Sequence, residues 1–297
     1  MDASIRAYAA GDQAAVAEIC VAALDIEGPG DAAIFLAVLG RRSGTWHVAV
    51  VDEVVVGVAI GSTSTAPAGL IGHVELLAVA PSFQGNGIGR LLLRSLENAH
   101  RDAGCVQVRV QGNPPSYAWP GIDTRYTVAI CLVEREGYER FNDARDMDVP
   151  LSPAVVDTAA DEARLAAAGI VVRRLEASDE PSIRPWLDTW GGSWRGEVLL
   201  TLESAPVGCH VALTSEGEWL GFAAHGVNHP RIFGPMGTAE ASRRHGIGAV
   251  LLKRCLADQL AAGLPVSEIG WVGPHRFYAR ALGARFSRIF WLYRKAL

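Results

Sequence analysis

The chain has 297 residues, about twice the ~100–200 of an ordinary globular domain, so two domains are expected. Hydrophobic residues make up 49% and charged residues 20%, which supports a packed core and excludes a disordered chain. The formal net charge of −5 argues against a nucleic-acid partner, which calls for a basic surface. No apolar run reaches the ~20 residues of a membrane span. The most apolar stretch, Trp46 to Gly61, is interrupted by Asp52 and Glu53. The opening MDASIRAYAAGD lacks a basic start and an apolar core, so no secretory leader is expected. The five cysteines (Cys20, Cys105, Cys131, Cys209, Cys255) are scattered and form no CxxC pair. They read as reduced, mostly core thiols of a cytoplasmic protein without a zinc site.

In chain order, Ile5–Tyr8 reads as a short strand, and Asp12 caps a helix to about Leu24. A Gly-Pro-Gly break at 28–30 precedes a second helical stretch to Leu39. Trp46–Val51 and Val54–Gly61 read as a hairpin around Asp52-Glu53. His73–Ala80 is a strand, Pro81–Gly87 a loop, Ile88–Ala103 a helix and Cys105–Gln111 a strand. Thr127–Glu136 is a helix ending at Gly137, and Tyr138–Val149 supplies the last strands of the first half. Leu151-Ser152-Pro153 closes that half, and Ala154–Gly169 reads as a linker helix ended by a glycine. The second half runs strand Val171–Leu175, helix Asp179–Trp190, a hairpin turning near Glu216-Gly217, and strand Ile232–Thr238. It closes with helix Ile247–Ala262, strand Val266–Val272, helix Pro274–Leu282 and strand Phe286–Tyr293.

The halves are copies. Gly87-Ile88-Gly89 recurs 159 residues later as Gly246-Ile247-Gly248. Over Gln84–Gly104 against Arg243–Gly263, seven of 21 positions are identical. The openings match as well: Ile5-Arg6 with Asp12, and Val172-Arg173 with Asp179. The expected organisation is a mixed α/β domain at 1–150, a linker at 151–169 and a second such domain at 170–297.

Each copy places a glycine loop between a strand and a helix: Gln84-Gly85-Asn86-Gly87-Ile88-Gly89 and Arg243-Arg244-His245-Gly246-Ile247-Gly248. Free N–H groups and the dipole at a helix start attract an anion, and glycine lets the backbone approach a phosphate. The dinucleotide fingerprint GxGxxG fails because Arg90 stands at its third glycine, and the Walker GK[ST] ending is missing.

Q/R-x-x-G-x-G between a strand and a helix resembles the acetyl-CoA pyrophosphate loop of the GNAT N-acetyltransferases. Gln84, Gly87 and Gly89 match it in one copy, and Arg243, Gly246 and Gly248 in the other. The strand Glu75–Pro81 resembles that family's central strand, and Phe277–Ala284 its helix-to-strand end. The tandem arrangement is similar to mycothiol synthase and to amino-sugar acetyltransferases with two GNAT domains. The loop Tyr117-Ala118-Trp119-Pro120-Gly121-Ile122-Asp123 looks like a segment found in the latter. The resemblance implies two tandem GNAT-like domains, each a mixed sheet flanked by helices, and an acetyl-CoA donor. Donor contacts are then expected from Leu77, Val79, Gln84, Gly85, Asn86, Gly87, Gly89 and Arg90. In the second copy they are expected from Met236, Gly237, Thr238, Arg243, Arg244, His245, Gly246, Ile247, Gly248 and Ala249.

Acyl transfer from a thioester needs a neutral amine, a donor for the oxyanion and a proton for the departing thiolate. Tyr278 sits where the family keeps that donor. With Gly283 set against Gly137, Leu132 is its counterpart and cannot donate. Glu75, expected on the side of its strand that carries Leu77 and Val79, and Glu268 are the candidate bases; the counterpart of Glu75 is Gly234. Trp119, Asp123 and Arg125 are candidates for acceptor contact. The second copy is expected to do the chemistry. The expected function is acetyl transfer to a small-molecule amine by a monomer or homodimer, with no nucleic-acid or membrane partner. A CoA-binding regulator without turnover and an enzyme using another acyl-CoA are the alternatives.

Overall fold

The structure is a computed structural model that describes residues 2–28, 30–243 and 245–297. Met1, Pro29 and Arg244 lie outside the described residues, and with them the contact expected of Arg244 and the centre of the 28–30 break. The elements begin with β1 (Ser4–Ala7), α1 (Gln13–Ala23), α2 (Asp31–Leu39), β2 (Thr45–Val51), β3 (Val54–Ala66) and β4 (Gly69–Val79). Next come α3 (Ile88–Asp102), β5 (Gln107–Val110), β6 (Ile122–Asp123), α4 (Thr127–Arg135) and β7 (Glu139–Pro150). The linker forms α5 (Pro153–Val156) and α6 (Ala159–Ala167). The second copy supplies β8 (Ile170–Arg174), α7 (Glu180–Asp188), α8 (Trp194–Leu200), β9 (Cys209–Thr214) and β10 (Trp219–His225). It ends with β11 (Ile232–Thr238), α9 (Ile247–Ala261), β12 (Val266–Ile269), α10 (His275–Leu282) and β13 (Arg285–Ala296).

The chain divides into two compact units, Met1–Ala144 with Ile289–Leu297, and Arg145–Arg288. This division differs from the boundaries read at 150 and 169. In unit 1 the sheet runs β1, β2, β3, β4, β5, and its sixth strand is β13, paired antiparallel with β5 from Tyr293↔Val110 to Ala296↔Gln107. In unit 2 it runs β8, β9, β10, β11, β12, and the sixth strand is the end of β7, paired with β12 from Val266↔Pro150 to Ile269↔Met147. Each sheet therefore closes with the final strand of the other copy. A sequence repeat records which segments are related, whereas strand pairing decides which edge each one completes.

Strand alternation sends alternate residues to opposite faces. In unit 1, Val79 packs with Ile88, Leu92, Leu93, Leu96 and Val133 on the α3 side. Leu76 and Ala78 pack with Val16, Cys20, Phe35 and Leu39 on the α1–α2 side. In unit 2, α9 covers one face through Val250, Leu251 and Cys255, while Ile183, Leu187 and Val198 of α7 and α8 cover the other.

Local features recur in both copies. Arg6 donates to Asp12 at 2.7 and 2.8 Å, and Arg173 to Asp179 at 2.6 and 2.8 Å. Each carboxylate also accepts a backbone N–H three residues upstream, from Ala9 and Glu176. The Asp52-Glu53 hairpin turn has φ of 46° and 66°, the sense that suits a right-twisted pair of strands. The single linker helix expected over 154–169 is instead two, because Asp157 turns its carboxylate onto Ala159 N–H at 3.0 Å and restarts the helix.

His100 of α3 lies flat against two glycines of the sheet. A Cβ added at Gly72 would come within 2.5 Å of its ring, and one at Gly61 within 2.9 Å. Its Nε2 meets His73 O at 3.1 Å. Gly72→Ala is expected to lower unfolding stability by roughly 1–3 kcal/mol, an overpacking cost, measurable by urea titration. Wild-type stability in that variant would show that the ring moves freely.

Candidate functional site

The two glycine loops are built alike. Gly87 and Gly246 stand at the N-caps of α3 and α9 with φ of 82° and 80°. This left-handed backbone favours glycine and turns the first N–H groups of each helix outward. Gln84 Nε2 donates to Val79 O at 3.0 Å, and Arg243 Nε lies 3.4 Å from Thr238 O in the matching place. Asn86 Nδ2 donates to Phe83 O at 3.2 Å, and His245 Nδ1 faces Ser242 O at 3.2 Å. A Cβ at Gly85 or Gly87 would meet no atom within 4 Å, so that loop has room for a ligand against its backbone. At Gly89 a Cβ would meet Leu132 at 3.3 Å and Leu77 at 3.6 Å; at Gly248 it would meet Thr238 at 3.2 Å and Met236 at 3.3 Å. Glycine there lets the helix lie close on its strand.

Beyond the loops, the central strand parts from its parallel neighbour. β4 pairs with β5 only from Ile71↔Gln107 to His73↔Arg109, and β11 with β12 only at Ile232↔Glu268 and Phe233↔Ile269. Past those pairs each sheet opens. A β-bulge sits at the opening in both units. Ile60 opposes Leu76 while Gly61 opposes Val74, so Glu75 is the extra residue. Ala223 opposes Met236 while His225 opposes Phe233, which places Gly234 at the same point.

The bulge corrects the expected direction of Glu75. Leu77 and Val79 pack toward α3, but Glu75 turns away from them, to Ser62, Asn113 and Arg42 on the α1–α2 side. Strict alternation from Val79 cannot anticipate this, because one inserted residue resets the face. Glu75 is 9% exposed. Its Oε1 lacks a hydrogen bond, and Arg42 Nη2 is 3.8 Å away. Burial raises its carboxyl to about 7 against the opposing pull of the Arg42 charge. Next to it, His73 is lowered to about 4 by burial, so it is neutral at physiological pH, its ring bridging Ser64 Oγ at 2.8 Å and Gln111 O at 3.1 Å.

In unit 2, Tyr278 is 5% exposed and meets Phe233 edge-on, with ring centroids 6.2 Å apart. Burial raises its phenol, which therefore stays protonated at neutral pH. The contact pattern corrects the sequence register. Leu132 faces Gly89, and it is Phe277 that faces Gly248, 3.8 Å from the position of a Cβ. Val133, not Leu132, is thus the counterpart of Tyr278, since α4 and α10 differ by one residue before their closing glycines. Glu268 is buried on β12 and accepts Arg231 Nε at 2.7 Å.

Residues 17–119 match the acetyltransferase (GNAT) family. No curated protein matches the sequence. Among solved structures, the chain is similar to a GCN5-related glucosamine N-acetyltransferase region of a fungal multi-domain GH3 β-N-acetylglucosaminidase. The TM-score is 0.83 at 18% identity, covering 99% of this chain and 38% of that one. It thus spans under two fifths of the fungal protein. It also resembles a GCN5-related N-acetyltransferase from Sphaerobacter thermophilus (TM-score 0.69, 19% identity, 99% and 95% covered). A tandem GNAT protein from the clavulanic acid biosynthesis pathway aligns with TM-score 0.67 at 17% identity, covering 99% and 98%. The chain has the tandem GNAT fold.

Within these two units of GNAT fold, several expected contacts are taken up by the protein itself. Arg90 pairs with Glu136 at 3.0 Å. Asp123 is 2% exposed and holds Arg125 through two contacts at 2.9 and 2.6 Å. Trp119 donates Nε1–H to Glu27 at 2.9 Å and stacks on Phe35, centroids 4.4 Å apart. Trp119 thus ties the segment after β5 to Glu27 and α2, while Asp123 and Arg125 pair within that segment. Sequence reading missed Arg42, Ser62 and Asn113 around Glu75, because no motif marks residues gathered from separate elements. Among the described residues no cluster of three metal-ligating side chains occurs, and no helix is long and apolar enough to cross a membrane. Four of the cysteines are buried; Cys131 is exposed.

Proposed function

We propose that this protein is an acetyl-CoA-dependent N-acetyltransferase acting on the amine of a small molecule, such as an amino sugar. The observation that carries the reading is the pair of left-handed glycines, Gly87 and Gly246, each opening a 15-residue helix beside a bulged and parted central strand. The N–H groups at these helix starts suit a pyrophosphate. The donor supplies an activated thioester. The backbone of Leu77–Val79, or of Met236–Thr238, lies along the opening where that thioester is to be aligned.

Unit 1 is the better equipped for catalysis, which reverses the weight placed on the second copy from sequence. Glu75 sits at the opening, is half ionised near neutral pH, and keeps one oxygen unbonded. It takes the proton that an ammonium must lose before attack. In unit 2, Tyr278, which holds its proton at neutral pH, is the proposed acid for a departing thiolate. Tyr278→Phe is expected to slow the turnover that unit 2 carries by about tenfold or more where thiolate protonation is limiting, with the loss visible in CoA release measured across pH in a Glu75→Gln background. Unchanged turnover at every pH would remove Tyr278 from the mechanism. Coupled release of CoA against a panel of glucosamine, an aminoglycoside and an amino-acid ester tests the reading as a whole.

A further inference from the structure

The second glycine loop is backed by the linker. Helix α6 is fastened along α9. Glu162 accepts Arg254 through two nitrogens at 2.8 and 2.7 Å, and Asp157 O, just before α6, accepts Lys253 Nζ at 2.9 Å. Leu165 of α6 is buried in the α9-side core. These contacts carry Arg164 to the N-terminus of α9. Its Nη1 donates to His245 O at 2.8 Å, and its Nη2 to Asp161 Oδ1 at 3.0 Å. A Cβ at Gly246 would lie 2.8 Å from Nη2, whereas one at Gly87 would meet no atom within 4 Å. The two loops share a backbone conformation and differ in what stands against it.

The bond to His245 O fixes one peptide. The His245–Gly246 peptide is trans, so its C=O and N–H point in opposite directions. Holding the carbonyl on Arg164 therefore turns the Gly246 N–H away from the guanidinium, just ahead of the first N–H groups of α9, which have no acceptor within their helix. A guanidinium on the carbonyl also polarises the peptide and strengthens its N–H as a donor. Cations gather here. Arg243 stands where unit 1 has the uncharged Gln84, and Arg164 is added from the linker. Glu240, 4.0 Å from Arg243, and Asp161 are the carboxylates paired with these two guanidiniums. A cation beside a helix N-terminus opposes the dipole. An anion on the N–H side of the loop turns that opposition into attraction.

We propose that Arg164 is a positioning residue for donor binding at the second loop, holding the His245 carbonyl so that the Gly246 N–H is preset for the diphosphate of an acyl-CoA. This rests on the donor reading above and deepens it. Helix α6 is thereby part of the second donor site as well as a connection between the copies. A group that sets the direction of a binding N–H acts on affinity without touching the ligand. Removing Arg164 acts on one loop, and the other serves as an internal control.

The test uses the full chain with isotope-labelled glycine, so that the Gly87 and Gly246 amide resonances report the two loops separately as acetyl-CoA is added. Arg164→Met is expected to raise the Kd read at Gly246 by about tenfold, the low end of what a charged hydrogen bond contributes, and to leave the Kd read at Gly87 unchanged. Arg164→Lys keeps a cationic donor and is expected to recover part of the loss. The Arg164 side chain is 52% exposed, so both variants are expected to fold, and thermal melts check this. Unchanged or tighter binding at Gly246 in Arg164→Met overturns the proposal, as does equal loss at both glycines or no recovery in Arg164→Lys. A wild type that responds at Gly87 alone overturns it too and leaves the donor reading intact. A wild type that responds at neither glycine overturns both.

Discussion

Glu75→Gln is expected to lower kcat for acetyl transfer by unit 1 by about 10²–10⁴-fold, the usual contribution of a general base, and at the same time to stabilise the fold above neutral pH. The two effects share one cause. Burial raises the Glu75 carboxyl from its ordinary 4.5 to about 7. Below about pH 4.5 the group is protonated whether the chain is folded or not, and burial costs nothing. As pH rises toward 7 the unfolded chain ionises first, so the folded state is progressively penalised, by roughly 3 kcal/mol once both are ionised. Glutamine carries no such penalty. Urea unfolding should therefore find Glu75→Gln more stable than wild type at pH 8 and equal to it at pH 4. Wild-type activity should rise through about pH 7. Lower stability of the variant at pH 8 would mean that Arg42 compensates the charge more fully than its 3.8 Å separation indicates.

Asp258→Ala is expected to destabilise unit 2 by about 1–3 kcal/mol, the cost of leaving buried hydrogen-bonding partners unsatisfied. One carboxylate on α9 gathers three side chains from the sheet. Arg174 reaches it through two nitrogens at 2.8 and 2.7 Å, His210 Nε2 at 2.8 Å and His225 Nε2 at 3.1 Å. Against the upward push of burial, the bonds from His210, His225 and Arg174 hold Asp258 well below the usual carboxylate range. Its contribution is thus present above its ordinary 3.8 and is lost as pH falls through lower values. Since α9 also carries the second glycine loop at its other end, loosening it should weaken ligand binding there. Guanidinium unfolding of the variant at pH 7 measures the effect, and a loss under 1 kcal/mol would show that the two histidines and Arg174 find solvent without difficulty.

The parts of the fold that depend on local chemistry were readable. The Asp52-Glu53 turn and the helices after Gly87 and Gly246 each follow from a few adjacent residues, whereas Asp12 makes no cap bond to α1 and accepts the N–H of Ala9 upstream instead. Helix α8 escaped notice because its seven residues, Trp194–Leu200, are too few to show a period. Strand β12 stops at Ile269, earlier than its apolar run implies, because Trp271 takes φ of 46° and its N–H turns to Asp146. The strand exchange left no local mark: nothing in Tyr293 or Met147 names the edge it will complete. The site divides in the same way. The glycines were legible because the phosphate loop is a contiguous motif. The setting of Glu75 was not, since its bulge and its partners Arg42, Ser62 and Asn113 come from four separate segments.

The most direct measurement is a calorimetric titration of acetyl-CoA into the full chain, repeated with Gly87→Val and with Gly246→Val. Valine at either position is strained by the left-handed backbone; at Gly87 it fills open space against the loop, and at Gly246 it meets the Arg164 guanidinium, 2.8 Å from the place of a Cβ. The account predicts saturable binding to the wild type, with the first variant losing the site of unit 1 and the second that of unit 2. Absence of binding at millimolar acetyl-CoA, or binding that neither valine disturbs, would contradict it.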